Sequence, residues 1–215
     1  MASLQGTVIC TGTNGGLGSA FVRAFASLPE RQHYRAIYTV RNPRTAHDLN
    51  AILAKAPASP PSEVVALDLG SLNNVREVAD GINAKVASGE IEPIRALVLN
   101  AAFQEANAET KKPKSFTADG FKTAFGVNYL ANFLFVLLLL KSMDKKHGRI
   151  VLVSSRTHNS FDNRNDSIAI YKDKKYQTMF SNTESLSNGI VYEDDGYKGG
   201  MRRYGSSKLA LAMFL

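Results

Sequence analysis

A tyrosine and a lysine near the end of the sequence have the clearest chemical potential. Tyr204 and Lys208 are four positions apart, so on a helix their side chains lie on one face, a single turn apart. A phenol has an ordinary pKa of about 10, and a nearby ammonium group lowers that pKa because it favours the phenolate. The pair therefore predicts a proton donor whose pKa is brought towards neutral pH. In isolation, the same spacing is also typical of an exposed helical pair.

A glycine-rich segment follows the first apolar run of the sequence. Residues 11–18 read TGTNGGLG and lead directly into a segment with helical spacing. Glycine is needed where the backbone turns with positive φ, approaches a pyrophosphate or lets a helix pack closely on a strand. The first helical turn then presents N–H groups and a positive dipole end to phosphate. The pattern predicts a nucleotide phosphate site, with a plain strand-to-helix loop as the alternative. The residues assigned to this site are Thr11, Gly12, Asn14, Gly16, Leu17 and Gly18.

The end of the second apolar run bears on the choice of nucleotide. An acid at this place accepts hydrogen bonds from a ribose 2′-hydroxyl, whereas a basic residue pairs with a 2′-phosphate. The sequence has Arg41 here, with Arg44 as a potential helper, and no acid. A guanidinium group matches phosphate oxygens with its planar fork. We therefore expect NADP(H) to be favoured over NAD(H), with a solvated surface arginine as the alternative.

Apolar runs alternate with longer amphipathic segments along the chain. The runs predict strands of the kind that parallel sheets bury on both faces, at Thr7–Thr11, Arg35–Val40, Glu63–Leu67, Ile94–Leu99 and Arg149–Val153. The segments with helical length and spacing are Leu17–Leu28, Thr45–Lys55, Leu72–Val86 and Phe116–Met143. This order predicts an α/β fold with a doubly wound parallel sheet in a three-layer α/β/α arrangement.

The region from residue 156 to residue 203 breaks this alternation. It is rich in Asn, Asp, Ser and Gly and has only fragments of periodicity. We interpret it as a polar insertion in a single domain that covers residues 1–215, because no second apolar pattern accompanies it. Segments that follow the carboxyl ends of strands in such sheets line the ligand crevice. The insertion is therefore expected to adjoin the site.

Several motifs in order resemble the short-chain dehydrogenase/reductase family. They are the TGxxxGxG turn, the segment Leu99–Ala102 after the fourth strand, Asn128 in a helix, Ser155 at the end of the fifth strand, and the YxxxK pair. Leucine at position 99 and alanine at position 102 depart from the family's NNAG element. The sequence around the serine and the tyrosine is most similar to the branch that contains retinol dehydrogenases and protochlorophyllide reductases. The resemblance implies a Rossmann fold.

The resemblance also implies roles for individual residues. Tyr204 would be the general acid for reduction and the base for oxidation, and Lys208 would lower its pKa and bind the nicotinamide ribose. Ser155, favoured over Ser154, would hydrogen-bond the substrate oxygen. Asn128 would hold a water that relays protons to Lys208. The further residues expected to contact the nucleotide are Asp68, Leu69, Asn100 and Ala101; a capping aspartate and a core leucine are the alternatives for the first two.

Composition narrows the partners and the location. The net charge of +7 is scattered, without a run of five basic residues, so nucleic-acid binding is not expected. The four histidines have no metal-ligand spacing, and the single cysteine, Cys10, falls in a predicted strand and suits a reducing compartment. We see no secretory signal and expect a cytoplasmic protein. The apolar stretch Tyr129–Leu140 is too short to span a bilayer and is expected to be a buried helix face.

The chain ends at Leu215, seven residues after Lys208. The resemblance implies a further strand and a substrate loop beyond this helix, so we expect a C-terminally truncated chain that lacks the family's last strands. Two functions follow. One is an NADPH-dependent oxidoreductase that transfers hydride between NADP(H) and a carbonyl or alcohol substrate. The alternative is a truncated, catalytically inactive NADP(H)-binding protein or fragment. Family members often form homodimers through their fourth and fifth helices, so the resemblance implies a homodimer contact at the apolar run Phe133–Leu140. Core packing explains this apolar run equally well.

Overall fold

The computed structural model describes residues 4–56, 60–105, 115–168, 170–189 and 196–214. The chain divides into two compact units. The sheet unit comprises Met1–Leu69, Asn73–Ala101 and Leu134–Val153, and the tyrosine unit comprises Gly70–Leu72, Ala102–Phe133 and Ser154–Leu215. The prediction of a single domain stays a prediction.

The sheet unit contains five parallel strands. They are β1 (Gly6–Thr11), β2 (Tyr34–Val40), β3 (Ser62–Ala66), β4 (Ile94–Leu99) and β5 (Arg149–Leu152). Their order in the sheet is β3-β2-β1-β4-β5, and every neighbouring pair is parallel. Each strand lies within a residue or two of its predicted range. The predicted doubly wound α/β fold is confirmed.

The strand order reverses between β1 and β4. In open α/β sheets, ligands bind outside the carboxyl ends of the strands at such a reversal. Here those ends are Thr11 on β1 and Leu99 on β4. The glycine-rich turn and Asn100 follow these two ends directly, so the topology brings both predicted nucleotide segments to one edge of the sheet.

The strands form where the sequence is mostly apolar. All six residues of β1 are buried, which parallel strands covered on both faces require. One cluster of the core packs residues of three strands against helices, and its buried members are Cys10, Val22, Ala36, Tyr38, Val40, Ala46, Leu49 and Val98. This cluster supports the turn that follows β1.

Three helices connect these strands: α1 (Gly16–Ala26), α2 (His47–Leu53) and α3 (Leu72–Ala87). Helix α2 is shorter than predicted, because a 3-10 turn at Pro43–Thr45 precedes it. The backbone N–H of Leu49, in its first turn, donates to the side-chain oxygen of Asn14 at 3.2 Å. A residue of the glycine-rich turn thus binds an N–H group near the start of α2.

A fourth helix, α4 (Thr123–Ser142), includes a π-helical turn at Gly126–Leu130. It is 20 residues long and apolar enough to cross a membrane by length and composition, so the prediction that this stretch is too short is corrected. The buried core helices of soluble proteins pass the same test, which makes it weak evidence for a span. Phe135 and Leu139 are buried, whereas Leu137 and Leu140 are exposed. The predicted homodimer contact stays a prediction.

The tyrosine unit is built mainly from short turns. After turns at Arg156–His158, Asn163–Ile168 and Lys174–Tyr176 come α5 (Thr183–Ser187) and α6 (Tyr197–Ala212). Helix α6 therefore begins inside the stretch predicted as a polar insertion. The same stretch also contributes a small apolar core, whose buried members are Ile170, Tyr171, Met179 and Met201.

Candidate functional site

Two glycines of the glycine-rich turn have no space for a side chain. Gly12 has a φ of +68°, and a Cβ there would lie 2.7 Å from the Cα of Ala101. A Cβ on Gly18, in the first turn of α1, would lie only 2.2 Å from the carbonyl oxygen of Gly12. These glycines allow a left-handed turn and a close approach of the helix to the turn. The predicted structural roles of both glycines agree with this geometry.

The turn is also tied to the segment after β4. The hydroxyl oxygen of Thr11 accepts hydrogen bonds from the backbone N–H groups of Asn100 and Ala101, both at 3.0 Å. The side-chain amide of Asn100 donates to the carbonyl oxygens of Thr11 at 2.9 Å and Gly12 at 3.1 Å. Thr11 and Asn100 therefore hold the two loops together. Leu99, which departs from the family pattern, is a buried core residue.

Gly16 differs sterically from Gly12 and Gly18. It is exposed at the start of α1, and a Cβ there would meet nothing within 4 Å. The next residue, Leu17, is also exposed. The first N–H groups of a helix have no intrahelical partner and carry its positive dipole end. The start of α1 thus combines open space with donors for an anion, which fits the pyrophosphate of a dinucleotide.

Two further residues of the turn point into the sheet unit. The buried Thr13 donates from its backbone N–H and its hydroxyl to the carbonyl oxygen of Thr39, at 3.1 and 3.2 Å. Asn14 binds the N–H of Leu49 as described above. Thr13 was missed by the sequence reasoning, although its position between two assigned residues was a signal. Asn14 has a structural contact besides its predicted place at the nucleotide.

Arg41 directly follows β2 and lies at the edge of the sheet that bears the glycine-rich turn. Thr39 contacts the glycine-rich turn through Thr13, and Arg41 follows two residues later as an exposed side chain. After β3, Asp68 is exposed and its N–H donates to the Asn74 side chain at 2.8 Å, while Leu69 is buried. Exposure leaves Arg41 accessible to a phosphate. The roles of Asp68 and Leu69 stay predictions.

In the tyrosine unit, Tyr204 and Lys208 lie on α6 as the spacing predicts. The ammonium nitrogen of Lys208 lies 5.8 Å from the centre of the Tyr204 ring. The Ser155 side chain is near enough to Tyr204 for its hydrogen bonding to lower the pKa of the phenol. The structure thus brings three of the four predicted catalytic side chains together.

Burial has a larger effect on these groups than the sequence indicates. It raises the pKa of Tyr204 above its ordinary value, and the hydrogen bond from Ser155 opposes this rise. The predicted lowering of the Tyr204 pKa is therefore corrected, because removal from water disfavours the phenolate. Burial also lowers the pKa of Lys208 to about 8, since the ammonium form is disfavoured.

Ser155 is held by the turn that follows β5. Its Oγ lies 2.9 Å from the hydroxyl of Thr157 and accepts the Thr157 N–H at 3.4 Å. Its carbonyl oxygen accepts a hydrogen bond from Nδ1 of His158 at 2.5 Å. Ser154 is exposed, and Ser155 is partly buried. This arrangement agrees with the choice of Ser155 over Ser154.

Asn128 lies fully buried in the π-helical turn of α4. Its side chain accepts from the N–H of Phe103 at 2.7 Å and donates to the Phe103 carbonyl oxygen and to the Ser207 hydroxyl, both at 2.9 Å. Ser207 in turn donates to the carbonyl oxygen of Tyr204 at 2.7 Å. Asn132 donates to the Asn128 carbonyl at 3.1 Å. Asn128 therefore supports α6, and its predicted water relay stays a prediction.

A group of three buried charged side chains includes Arg203, the residue before Tyr204. Glu105 lies 3.0 Å from the ammonium nitrogen of Lys122 and 2.6 Å from the guanidinium of Arg203. Their side chains are only 11%, 1% and 6% exposed. Arg203 directly precedes Tyr204, so Glu105 connects the segment after Phe103 to α6. The sequence reasoning missed this group.

Metal chemistry has no visible basis in the described ranges. Within residues 4–56, 60–105, 115–168, 170–189 and 196–214, no three His, Cys, Asp or Glu side chains are grouped to hold a metal ion. Cys10 is a buried free thiol, and burial raises its pKa to about 12. A thiol with this pKa is protonated at neutral pH and is a poor nucleophile.

Comparison with known proteins identifies the class. Residues 6–171 match the short chain dehydrogenase family, and the chain belongs to this family. It is also 43% identical to the short-chain dehydrogenase iccH of Talaromyces variabilis over 97% of its own length. It spans 62% of that relative's length.

Two further similarities agree with this assignment. The chain is 35% identical to protochlorophyllide reductase A of Oryza sativa, across 73% of this chain and 38% of the relative. This match agrees with the branch that the motifs indicated. The fold is similar to that of the NADPH-bound carbonyl reductase from chicken fatty liver, with a TM-score of 0.65 and 16% identity over 99% of this chain and 69% of the other.

Proposed function

We propose that the protein is an NADP(H)-dependent oxidoreductase that transfers hydride between the nicotinamide and a carbonyl or alcohol substrate. The observation that carries this proposal is the grouping of the partly buried Ser155 and Tyr204 with the buried Lys208 in the tyrosine unit. Family membership supports it, as does the fold shared with a carbonyl reductase described as NADPH-bound. A cytoplasmic location and a small-molecule carbonyl partner belong to the same proposal.

The sheet unit supplies the residues that would hold the nucleotide. The first turn of α1, open at Gly16, suits the pyrophosphate, and the rigid backbone of Gly12 and Ala101 fixes the adjoining loops. Arg41 would pair with the 2′-phosphate through its guanidinium fork. When bound, NADPH supplies the hydride for reduction. Lys208 and Tyr204 would bind the nicotinamide ribose.

The tyrosine unit supplies the proton chemistry. Reduction of a carbonyl places charge on its oxygen, so a proton donor and a hydrogen-bond donor are needed. The raised pKa of Tyr204 keeps its phenol protonated at neutral pH, as a general acid must be. Tyr204 donates this proton to the substrate oxygen, while the hydroxyl of Ser155 donates a hydrogen bond to the same oxygen. Lys208 in its ammonium form stabilises the phenolate that remains.

The test is carbonyl-dependent NADPH oxidation by the wild type and by Tyr204→Phe. We expect kcat/KM to fall about a thousandfold, because general acid catalysis contributes factors of this order. The Kd for NADPH is expected to stay within about twofold, since most nucleotide contacts lie elsewhere. The matched control is Tyr197→Phe, the same change at an exposed position on the same helix. Wild-type turnover in Tyr204→Phe would rule out the proposed acid.

A further inference from the structure

Thr157 contacts Ser155 through two separate groups. It is buried, two residues after Ser155, in the turn Arg156–His158. Its hydroxyl oxygen lies 2.9 Å from the Ser155 Oγ. Its backbone N–H donates to the same Oγ at 3.4 Å. The Ser155 hydroxyl is thus approached by a side chain and a backbone group of a single residue.

Hydrogen-bond capacity decides what these contacts do. A serine hydroxyl has one proton to donate and two lone pairs to accept with. When the hydroxyl and the N–H of Thr157 both donate, the two lone pairs of Ser155 are occupied. The Ser155 proton must then point away from Thr157. Tyr204 is the group that the Ser155 side chain contacts on the catalytic helix.

The surroundings of Thr157 fix its place beside that helix. Its carbonyl oxygen accepts a hydrogen bond from the Tyr171 hydroxyl at 2.8 Å. Gly205, the residue after Tyr204, packs directly on both groups: a Cβ there would lie 2.5 Å from the Thr157 oxygen and 2.4 Å from the Tyr171 hydroxyl. The turn and α6 are therefore held in register at the position of the catalytic tyrosine.

We propose that Thr157 is a positioning residue for the reductase site, and that its hydroxyl fixes Ser155 as a hydrogen-bond donor towards Tyr204 and the substrate oxygen. This inference rests on the proposed function. Thr157 acts through Ser155. It explains why a buried threonine hydroxyl is directed at a serine that already caps the turn.

A purely structural role for the pair is the competing explanation. Serine often caps a short turn by accepting a backbone N–H two residues later. That cap uses only the N–H of Thr157. Thr157→Val keeps the N–H and the shape of the side chain and removes only the hydroxyl. Thr157→Ser restores the hydroxyl, and Ser160→Ala removes another buried hydroxyl of the same segment, which donates to the Gln177 carbonyl.

The experiment measures kcat, the KM for NADPH and the pH profile of carbonyl reduction in these three variants. We expect Thr157→Val to lower kcat about tenfold, the effect of one hydrogen bond, with KM for NADPH unchanged. The apparent pKa assigned to Tyr204 should rise, because the Ser155 hydrogen bond lowers it. Thr157→Ser should restore both values, and Ser160→Ala should leave both unchanged.

A change in the pH profile can be assigned to Tyr204 because its ionisable neighbours are the same in all variants. Lys208 lies beside the Tyr204 ring, and Nδ1 of His158 binds the Ser155 carbonyl. Neither is altered in any variant. Wild-type kcat in Thr157→Val would overturn the proposal. A lower kcat with an unchanged pH profile, or an equal loss in Ser160→Ala, would also overturn it, because either result indicates a structural role.

A second readout keeps this inference separate from the proposed function. Alkaline titration of tyrosinate absorbance, as a difference between each protein and its Tyr204→Phe version, reports the Tyr204 pKa without turnover. If the wild type reduces no carbonyl, the proposed function fails. A higher Tyr204 pKa in Thr157→Val would still support the positioning of Ser155, and an unchanged pKa would overturn it.

Discussion

The two units hold their functional residues by different means. In the sheet unit, backbone geometry does most of the positioning: Gly12 and Gly18 allow close approaches, and Thr11 binds backbone N–H groups of the neighbouring loop. In the tyrosine unit, side chains do it: Thr157 contacts Ser155, and Asn128 contacts Ser207. A nucleotide phosphate site needs fixed N–H groups, whereas proton transfer needs oriented side chains with shifted pKa values.

The units also differ in how they bury charge. The ion pair of Lys85 and Glu63 in the sheet unit joins side chains that are 33% and 41% exposed. Glu105 in the tyrosine unit is paired with two cations and is only 11% exposed. Exposed pairs contribute little to stability, but breaking a buried pair leaves an uncompensated charge. The tyrosine unit is therefore the more sensitive to loss of one carboxylate.

The largest expected effect on stability is that of Glu105→Gln. The change leaves Lys122 and Arg203 without this carboxylate, and we expect the free energy of unfolding to fall by about 3–5 kcal/mol. Urea unfolding followed by circular dichroism measures it. Glu63→Gln is the matched control and should change stability by less than about 1 kcal/mol. Equal losses in both variants would remove the contrast between the units.

The next effect concerns Lys208, whose pKa is lowered to about 8 from an ordinary value of 10.5. Between these pH values the unfolded chain holds the proton more tightly, so the free energy of unfolding rises with pH. The shift corresponds to about 3 kcal/mol. We expect any stability advantage of Lys208→Met at pH 7 to shrink by about this amount as pH rises through the window.

Thermal unfolding of both proteins at several pH values measures this difference. Because Lys208→Met also removes the proposed phenolate partner, carbonyl reduction should be lost while stability at neutral pH is gained. A difference in stability that stays constant across the window would show that Lys208 titrates normally in the folded protein.

A smaller effect on stability is expected to distinguish alanine substitutions at two glycines of the glycine-rich turn. Gly18→Ala places a Cβ against the Gly12 carbonyl, and such overpacking costs about 1–3 kcal/mol. Gly16→Ala meets open space and should leave the melting temperature unchanged or slightly raised. Its cost should instead appear as a roughly tenfold weaker Kd for NADPH, because the added methyl group occupies the proposed phosphate space. Equal melting temperatures for the two variants would contradict this steric account.

The smallest energetic effect is expected at the 2′-phosphate. Arg41→Ala should weaken NADPH binding about tenfold, the effect of one charge-assisted hydrogen bond, and leave NADH binding unchanged. Calorimetric titration of both nucleotides measures the two Kd values. Arg44→Ala is the control and should have a smaller effect. Parallel losses for both nucleotides would show that Arg41 does not contact the 2′-phosphate.

The sheet unit was largely predictable from sequence. Mostly apolar runs give β1 to β5, of which β1 is buried along its whole length, and the spacing of Gly12 and Gly18 reflects steric demands within one local turn. The choice of Ser155 came from the family resemblance, whereas the helical pairing of Tyr204 with Lys208 depends on local spacing. These features require only residues that are near in sequence.

The tyrosine unit was less predictable, because its contacts join residues far apart in sequence. Glu105 and Arg203 are separated by 98 positions, and no periodicity connects them. The apolar core around Tyr171 and Met179 is formed by irregular turns without regular apolar spacing. The region was therefore predicted to be only a polar insertion. Spacing placed Lys208 beside Tyr204 but contained no information on burial, which is why the direction of the Tyr204 pKa was predicted incorrectly.

The most direct test of the proposed hydride transfer is isotopic. The purified chain is incubated with a panel of carbonyl compounds and NADPH that carries deuterium at the reactive nicotinamide carbon, and the alcohols formed are analysed by mass spectrometry. We predict deuterium in a product alcohol with the wild type and about a thousandfold less, in the same time, with Tyr204→Phe. Saturable NADPH binding without deuterium in any alcohol of the panel would contradict the account and favour a nucleotide-binding protein without reductase activity.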